Sequence, residues 1–410
     1  MTPPPASASK LAAWICIGEV SSMAGFSTYP ALLPVLQAEW GMSNAAAGFV
    51  AGALFAGYVA AVPLLSGLTD RHDARTVYVW SCVLSALGCV GFAVLARGVV
   101  SAALLQAVVG AGLAGTFMPG LRMLTDRLDD PASRRRYGGY YTASFAIGMS
   151  GSLVLAGTLA TLFGWPAAFG LAALGPLSAA LAVWKFLPTK APNPGATATS
   201  YGGQIRTLLT NRAAVAFIVG YAAHCWEVFA VRAWMVAFLA FNGSLQPGAS
   251  RASWGDASVA AAITLLAWPA AVAGNEVALR VGYRRAAVAA VAGSALMACG
   301  VGFLGPQPWW IVVACVSVYF AATMADTSVL TVGVLAETPP EVRGVTLGIH
   351  SAVGFLAGFV APFAFGAVLD VAGGNQSALA WGLAFAALGA GLAAAPFMAV
   401  LMRGETPRTP

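Results

Sequence analysis

The chain has 410 residues, of which 59% are hydrophobic and only 9% are charged, and its mean hydropathy is +0.79. Soluble globular proteins carry about 25% charged residues, so this composition excludes an ordinary soluble domain and indicates a chain embedded in lipid. The formal net charge of +6 therefore has to be interpreted from where the basic residues lie relative to a membrane.

Nearly the whole chain divides into segments of the length and apolarity that a membrane-spanning helix needs, which is about 20 residues. The sequence predicts an all-α membrane protein with twelve transmembrane helices, called spans 1 to 12. Their predicted ranges are 12–36, 45–66, 76–96, 101–123, 138–162, 167–186, 213–238, 257–279, 286–305, 309–334, 345–369 and 377–402. Residues 1–11 are expected to be a disordered tail without a cleavable signal peptide, because the first apolar run is too long for one. Residues 403–410 are expected to be a C-terminal tail.

The longest polar interruption divides the chain into two halves. Residues 187–212 are rich in Pro, Gly, Ser and Thr, which is typical of a linker, and 204–211 within them are compatible with a short interfacial helix. The linker separates six spans in 12–186 from six in 213–402. The halves repeat, since Arg71 and Arg75 after span 2 correspond to Arg280 and Arg284 after span 8. Two pseudo-symmetric six-helix bundles are a transporter architecture.

The basic residues are distributed very unevenly across the predicted membrane. Of the 21 Lys and Arg residues, only Arg97 and Arg251 fall on one side, and Arg232 lies inside a span. The positive-inside rule makes the basic side cytoplasmic, with both termini on it. The basic charge is thus a topology signal, which argues against a nucleic acid partner. The six cysteines lie inside predicted spans, and their spacing indicates neither a disulfide framework nor a metal site.

Four charged residues lie inside otherwise apolar spans: Glu19, Glu227, Asp326 and Arg232. A charge at the centre of a bilayer costs roughly 2.5–3.5 kcal/mol on insertion scales, so such a residue usually faces a water-filled path. The pattern predicts that these groups are functional.

Several motifs resemble those of the major facilitator superfamily. The stretch Gly67-Leu-Thr-Asp70-Arg71-(x3)-Arg75 is similar to the family's signature between helices 2 and 3, although Asp73 stands where the family usually has Gly. Gly164-Trp165-Pro-Ala-Ala-Phe169 resembles its motif between helices 5 and 6. Gln106 stands where proton/drug antiporters of the family carry an Arg, and the region around Gly148 lacks the proline of their fifth-helix motif.

The resemblance implies that helices 1, 4, 7 and 10 line a central cavity. Glu19 lies on span 1, His224, Glu227 and Arg232 on span 7, and Asp326 on span 10. We expect four groups to take part in proton coupling: Glu19, Asp326, Glu227 and His224. The alternative is that each carboxyl group is only hydrogen-bonded within its own bundle.

Substrate contacts are expected first at Arg232, because a guanidinium matches the geometry of a carboxylate. His224 and Glu227 are three residues apart and share a helix face. An internal ion pair is the alternative for Arg232. The further substrate-binding candidates, for which packing is the alternative, are Glu227, Trp226, Trp234, Tyr140, Tyr141, His350 and Trp268. The resemblance also implies a cytoplasmic gate, formed by Asp70, Arg71, Arg75, Arg122, Asp126, Arg127, Arg280 and Arg284; for Arg122 the alternative is snorkelling to the lipid head groups.

These observations predict a secondary transporter of the bacterial inner membrane, with a small-molecule substrate, protons and the lipid bilayer as its partners. Import of an organic anion or zwitterion is favoured, and proton-driven export of cationic or amphipathic compounds is the alternative. No phosphate-binding loop for ATP and no hydrolase or protease motif is evident, so we expect a monomeric carrier without cofactors rather than an enzyme.

Overall fold

The regular structure of the chain is helical throughout the described residues. A computed structural model describes residues 8–128, 130–190, 201–246, 255–339 and 342–403. Eleven helical segments in these ranges are long and apolar enough to cross a membrane. They are span 2 (Asn44–Thr69), span 3 (Ala74–Leu95), span 4 (Val99–Asp126), span 5 (Ala132–Phe163), span 6 (Trp165–Phe186), span 7 (Arg212–Ser244), span 8 (Asp256–Val281), span 9 (Tyr283–Leu304), span 10 (Trp309–Glu337), span 11 (Arg343–Val371) and span 12 (Ala378–Leu401).

Span 1 is formed by two shorter helices, Ala8–Ser22 and Thr28–Trp40, on either side of a 3-10 turn at Met23–Gly25. The break frees backbone groups that must be satisfied inside the protein, because lipid offers no hydrogen bonds. Ser152 of span 5 does this twice: its hydroxyl accepts from the Ser27 amide at 2.9 Å and donates to the Ala24 carbonyl at 2.7 Å. With span 1 included, the predicted twelve-span, all-α membrane fold is confirmed.

Several spans are interrupted, and their ends differ slightly from the predicted ones. Span 4 is broken between Ala114 and Phe117, and span 12 between Ala386 and Gly391. The first helix begins at Ala8, inside the predicted tail, and a separate helix, Tyr201–Thr210, lies within the predicted linker. This helix overlaps residues 204–211, for which the sequence allowed a short interfacial helix. Its contact with a lipid surface stays a prediction.

The chain forms two compact units. The first contains spans 1 and 3–6 with most of span 2, and the second contains spans 7 and 9–12 with most of span 8. Residues 41–52 at the start of span 2 belong to the second unit, and residues 260–265 of span 8 belong to the first. Spans 2 and 8 are thus each divided between the units, and the predicted division of the chain into six spans at 12–186 and six at 213–402 stays a prediction.

The start of span 2 is held tightly within the second unit. The Asp370 carboxylate at the end of span 11 accepts from the backbone amides of Asn44 at 2.9 Å and Ala45 at 2.8 Å. A carboxylate here satisfies free amides of the first turn and complements the helix dipole. A methyl group added at Gly48 would lie 2.0 Å from the Pro362 carbonyl oxygen. Only glycine permits this close approach of spans 2 and 11.

Candidate functional site

Glu19 and Tyr141 form a buried pair in the first unit. Glu19 is fully buried, and the Tyr141 hydroxyl of span 5 donates to its Oε2 atom at 2.8 Å. The same hydroxyl lies 3.0 Å from the Thr116 carbonyl and 3.1 Å from the Phe117 carbonyl, at the break in span 4. A phenol has a single proton, so the three acceptors compete for it. The charge state of Glu19 therefore affects how well the carbonyls of the break are hydrogen-bonded.

His224 and Asp326 form an acid–base pair between spans 7 and 10. The His224 Nδ1 atom lies 2.6 Å from Asp326 Oδ1 and 3.1 Å from the Thr323 carbonyl, and both side chains are buried. A proton on Nδ1 thus faces two acceptors. The Nε2 atom lies 3.3 Å from the Thr327 hydroxyl, which can donate to it. The pair can take up one further proton at Nε2, which makes the ring a cation beside a carboxylate.

Glu227 is buried one turn away from His224 but has partners of its own. Its Oε1 atom accepts from the Thr323 hydroxyl at 3.0 Å, and its Oε2 atom accepts from the Ser294 hydroxyl of span 9 at 2.9 Å. His224 and Glu227 both contact Thr323, which fits the shared helix face that their spacing predicts. Each carboxylate oxygen of Glu227 is occupied by a hydroxyl group, so Glu227 is tied into the bundle.

Arg232 has no carboxylate partner among the described residues. Its Nη2 atom lies 3.5 Å from the Met324 sulfur, and its guanidinium carbon lies 5.7 Å from the ring centre of Phe229 and 5.8 Å from that of Phe320. Its Nε atom is buried without a hydrogen-bond partner in the described ranges. The internal ion pair that was the alternative for Arg232 is therefore not present there. The cation is left with aromatic faces and a thioether, which are weak partners.

His350 stacks on Tyr221, with ring centres 3.7 Å apart, and Tyr221 also stacks on His224 at 5.8 Å. His350 is buried, and neither ring nitrogen has a hydrogen-bond partner within the described part of the chain. The three rings form a stack that ends at the Asp326 pair. A direct substrate contact of His350 stays a prediction.

The adjacent residues Tyr140 and Tyr141 lie in different environments. Tyr140 is 53% exposed, and its hydroxyl accepts from Arg136 Nε at 3.2 Å, whereas Tyr141 is fully buried against Glu19. These contacts assign Tyr141 to the surroundings of Glu19 rather than to an open substrate wall. The substrate role of Tyr140 stays a prediction.

The three tryptophans proposed to bind substrate also lie in different environments. The Trp234 Nε1 atom donates to the Pro362 carbonyl at 3.0 Å inside a closed aromatic cluster, and the Trp226 Nε1 atom donates to the Ala387 carbonyl at 3.1 Å, at the break in span 12. For Trp226 and Trp234 these contacts favour the alternative interpretation, which is packing within the bundle. Trp268 is 58% exposed, and its contact with substrate stays a prediction.

Charged residues meet at the ends of spans 3 and 4. The Asp73 carboxylate accepts from the Arg75 amide at 3.0 Å, which caps span 3, and from Arg127 Nη2 at 3.1 Å. It also accepts from the Lys190 amide at 2.8 Å, while Arg127 donates to the Pro188 carbonyl at 2.7 Å. The residue that departs from the family motif is thus the anionic centre of this cluster, which ties the beginning of the linker to the first unit.

Other gate candidates of the first unit have local partners. Arg122 Nη1 donates to the Thr69 hydroxyl at 2.9 Å, and its Nε atom lies 3.6 Å from Asp126. Arg75 donates to the Trp184 carbonyl. The Arg71 side chain is exposed. The side chain of Asp70 lies outside the described part of the structure, as does all of Arg251.

The second unit has a matching pair at the ends of spans 9 and 10. Arg284 donates to Glu337 through Nε at 2.7 Å and Nη2 at 2.9 Å, a bidentate arrangement. The Glu337 carbonyl accepts from the Asn211 side chain at 2.7 Å, and Asn211 caps span 7. The order of the charges is reversed between the units. In the first unit the anion Asp73 precedes span 3 and the cation Arg127 follows span 4, whereas in the second unit the cation Arg284 begins span 9 and the anion Glu337 ends span 10. Arg280 is exposed and takes no part in this pair.

Replacement of Asp73 separates its two structural roles. Asp73→Asn keeps an oxygen to cap span 3 but removes the charge facing Arg127, and Asp73→Ala removes both. We expect Asp73→Ala to cost about 2–4 kcal/mol, since it combines a lost cap with a broken, mostly buried ion pair, and Asp73→Asn to cost less. Thermal unfolding of the purified variants in detergent measures the order. Equal stability of the two variants would mean that the cap contributes nothing beyond the ion pair.

Asp73 and Glu337 are the site residues that sequence reasoning missed. Asp73 was visible as a departure from the family motif, and its position just before a helix start is a capping signal. Glu337 ends span 10, and nothing local marks it as the partner of Arg284. Among the described residues, no group of three or more His, Cys, Asp or Glu side chains is placed to hold a metal ion.

Comparison with known proteins gives one family and several similar folds. The model of the Major Facilitator Superfamily matches residues 15–362. Over 160 residues the chain is 30% identical to the uncharacterized transporter YgaY of Escherichia coli O157:H7, and this match covers 38% of the chain and only 39% of that relative. The chain thus matches about two-fifths of the length of its curated relative.

Three solved structures share the fold at low identity. A bacterial homologue of the human lysosomal transporter Spinster, in an inward-facing and occupied conformation, has a TM-score of 0.79 and 16% identity over 99% of this chain and 98% of that one. The POT family transporter PepTSo has a TM-score of 0.76 and 14% identity over 96% and 98% of the two chains. The nucleoside transporter NupG has a TM-score of 0.75 and 14% identity over 96% and 100%.

Proposed function

The chain belongs to the major facilitator superfamily, a family of membrane transporters, and we propose that it carries a small organic anion or zwitterion together with protons by alternating access. It is a multi-pass membrane protein and not an enzyme. We further propose a monomer in the bacterial inner membrane, with both termini cytoplasmic.

The observation that carries this proposal is the unequal pairing of the charged groups on spans 7 and 10. Asp326 lies against His224, and Glu227 accepts from two hydroxyl groups, but Arg232 has no anionic partner among the described residues. A cation embedded in an apolar bundle is stabilised strongly by an anion that reaches it. A substrate carboxylate fits this requirement, because it can accept two hydrogen bonds from the guanidinium.

Charge balance links the substrate to the proton. Without ligand, the positive charge of Arg232 is opposed by the negative charges of Asp326 and Glu227. A bound carboxylate alone would add one further negative charge in a medium of low dielectric constant, which is costly. A proton taken up at His224 Nε2 would offset that added charge. Loading therefore leaves the net charge of the site unchanged only when anion and proton bind together, which is the requirement for coupled transport.

The charge pairs at the helix ends support a latch role in the transport cycle. Arg127 pairs with Asp73 in one unit, and Arg284 pairs with Glu337 in the other. We propose that these pairs, with Arg122 and Asp126, stabilise one conformation and re-form in each cycle. Asp70, Arg71, Arg75 and Arg280 remain gate candidates on the grounds of the motif alone.

Export of a cationic compound is the second candidate, and Glu19 is the observation that favours it. Its Oε1 atom is buried without a hydrogen-bond partner among the described residues, so a cation reaching it would gain a strong contact. Tyr141 occupies only the other carboxylate oxygen.

Transport by purified protein in liposomes tests the two candidates. A panel of labelled monocarboxylates, dicarboxylates and amino acids is offered under a proton gradient, beside a panel of cationic dyes. We expect proton-driven uptake of an organic anion or zwitterion that falls at least tenfold in Arg232→Gln. The control is Arg285→Gln, an exposed arginine at the start of span 9, which should transport normally. Dye movement that depends on Glu19, with no transport of anions or zwitterions, would replace the proposal by the second candidate.

A further inference from the structure

The surroundings of Arg232 restrict the kind of anion that can bind there. Phe320 is fully buried, and Phe229 and Met324 are nearly so, and these three side chains lie beside the guanidinium. None of them can donate a hydrogen bond to an anion. A strongly hydrated anion would give up water and gain no hydrogen bond from these three side chains. An anion with a single charged group and an apolar remainder loses much less, because its apolar part is favourably buried among these side chains.

The number of permanent charges near Arg232 points to a single negative charge on the ligand. The other described arginines of the second unit lie outside the spans or in their first or last turn; they are Arg206, Arg212, Arg280, Arg284, Arg285, Arg343 and Arg403. Arg232 is thus the one permanent cation in the interior of a described span of this unit. A second carboxylate on the ligand would have no cation to meet, and Asp326 would repel it. Low dielectric surroundings enlarge that penalty.

One carboxylate oxygen of spans 7 and 10 is open to an ammonium group. Both oxygens of Glu227 accept from hydroxyl groups, and Asp326 Oδ1 lies 2.6 Å from His224, but Asp326 Oδ2 is buried without a hydrogen-bond partner among the described residues. The charges near Arg232 therefore discriminate against a second carboxylate on the ligand and not against an ammonium group.

We propose that the Arg232 site selects monocarboxylates with an apolar body, and that it discriminates against dicarboxylates of the same length. This inference rests on the proposed anion transport and makes it specific. The discriminating elements are the single guanidinium, the apolar side chains beside it and the negative charge of Asp326.

Two matched sets of ligands test the selection by charge. The aliphatic set is hexanoate and adipate, and the aromatic set is benzoate and terephthalate. Each is titrated into wild-type protein by calorimetry at one pH and ionic strength. We expect at least one of the two monocarboxylates to bind, at least tenfold more tightly than the dianion of its own skeleton. Binding should be lost in Arg232→Gln and retained in Arg285→Gln, and Arg232→Lys shows whether charge alone suffices.

Three results would overturn the inference. They are binding of a dianion as tight as that of its matched monocarboxylate, binding that does not change in Arg232→Gln, and no binding of either monocarboxylate at millimolar concentration. The wild-type comparison of ligands does not depend on any variant folding correctly. If adipate is instead transported with protons in an Arg232-dependent way, the selection rule fails while the proposed function stands. If no organic anion or zwitterion is transported, the proposed function fails.

Discussion

Asp326→Asn is expected to abolish proton-driven accumulation of substrate while leaving exchange of substrate across the membrane close to wild type. Asparagine keeps the size of the side chain and an oxygen that can accept from His224 Nδ1, which lies 2.6 Å from Asp326 Oδ1. It removes the negative charge that offsets Arg232 and stabilises a protonated His224. Accumulation under a pH gradient should fall at least tenfold, because the charge of the bound anion then takes the place of the removed Asp326 charge and needs no proton to offset it. Gradient-driven uptake and counterflow, measured in the same liposomes, separate the two effects.

Two further variants make the result specific. Glu276→Gln changes an exposed acid of span 8 and should accumulate substrate normally. Glu19→Gln removes a second buried acid proposed for coupling, and it is also expected to lose accumulation but retain counterflow. Normal accumulation by Asp326→Asn would remove Asp326 from the coupling role. Loss of both accumulation and counterflow would instead show that the asparagine disturbs the site itself.

The spans could be predicted well because lipid imposes one simple condition on the chain. Each membrane crossing needs about 20 apolar residues in a conformation that pairs all backbone groups. Such a stretch can be recognised in the sequence from its hydropathy alone. The break in span 1 could not be seen in the same way, because Met23–Gly25 is as apolar as its flanks. Its stability depends on Ser152, which is far away in the sequence and supplies both hydrogen bonds.

The location of the charged residues could also be predicted, but not their partners. The spacing of five residues leaves Glu227 and Arg232 free to pair or not, and the structure pairs Glu227 with Ser294 and Thr323 instead. These partners lie on spans 9 and 10, and their relation to span 7 is set by packing that no local pattern encodes. Which side chains hydrogen-bond between helices depends on how each helix is rotated about its own axis. A helix that is apolar on all faces carries no sequence pattern from which that rotation can be predicted.

The tryptophans illustrate the same limit. Trp234 and Trp268 lie at comparable depth in apolar segments, yet one is enclosed and the other is 58% exposed. In a soluble protein the polar face of a helix would have distinguished them. In lipid the outer face is as apolar as the core, so the signal is absent. The motif departure at Asp73 was a better guide, because a polar residue at a helix start has a local reason to be there.

Gly274→Ala is expected to destabilise the second unit and to disturb the Asp326 site at the same time. A methyl group on Gly274 of span 8 would lie 1.8 Å from the Ala325 carbonyl oxygen and 2.7 Å from its carbon. Both neighbours are helix backbone, which cannot turn aside as a flexible side chain would, so spans 8 and 10 must separate. Overpacking of this kind costs about 1–3 kcal/mol. Because Ala325 adjoins Asp326, the displacement should also reduce proton-driven accumulation.

The matched control is Gly293→Ala in span 9, where an added methyl group has no atom within 4 Å. Alanine is favoured over glycine inside a helix by up to about 1 kcal/mol, so this variant should be as stable as wild type or slightly more stable. Thermal unfolding in detergent measures both changes. A lower melting temperature for Gly274→Ala alone, together with impaired accumulation, is the expected result. Equal melting temperatures for the two variants would show that spans 8 and 10 are not in backbone contact at Gly274, and the placement of Asp326 would then have to be set by the His224 contact instead.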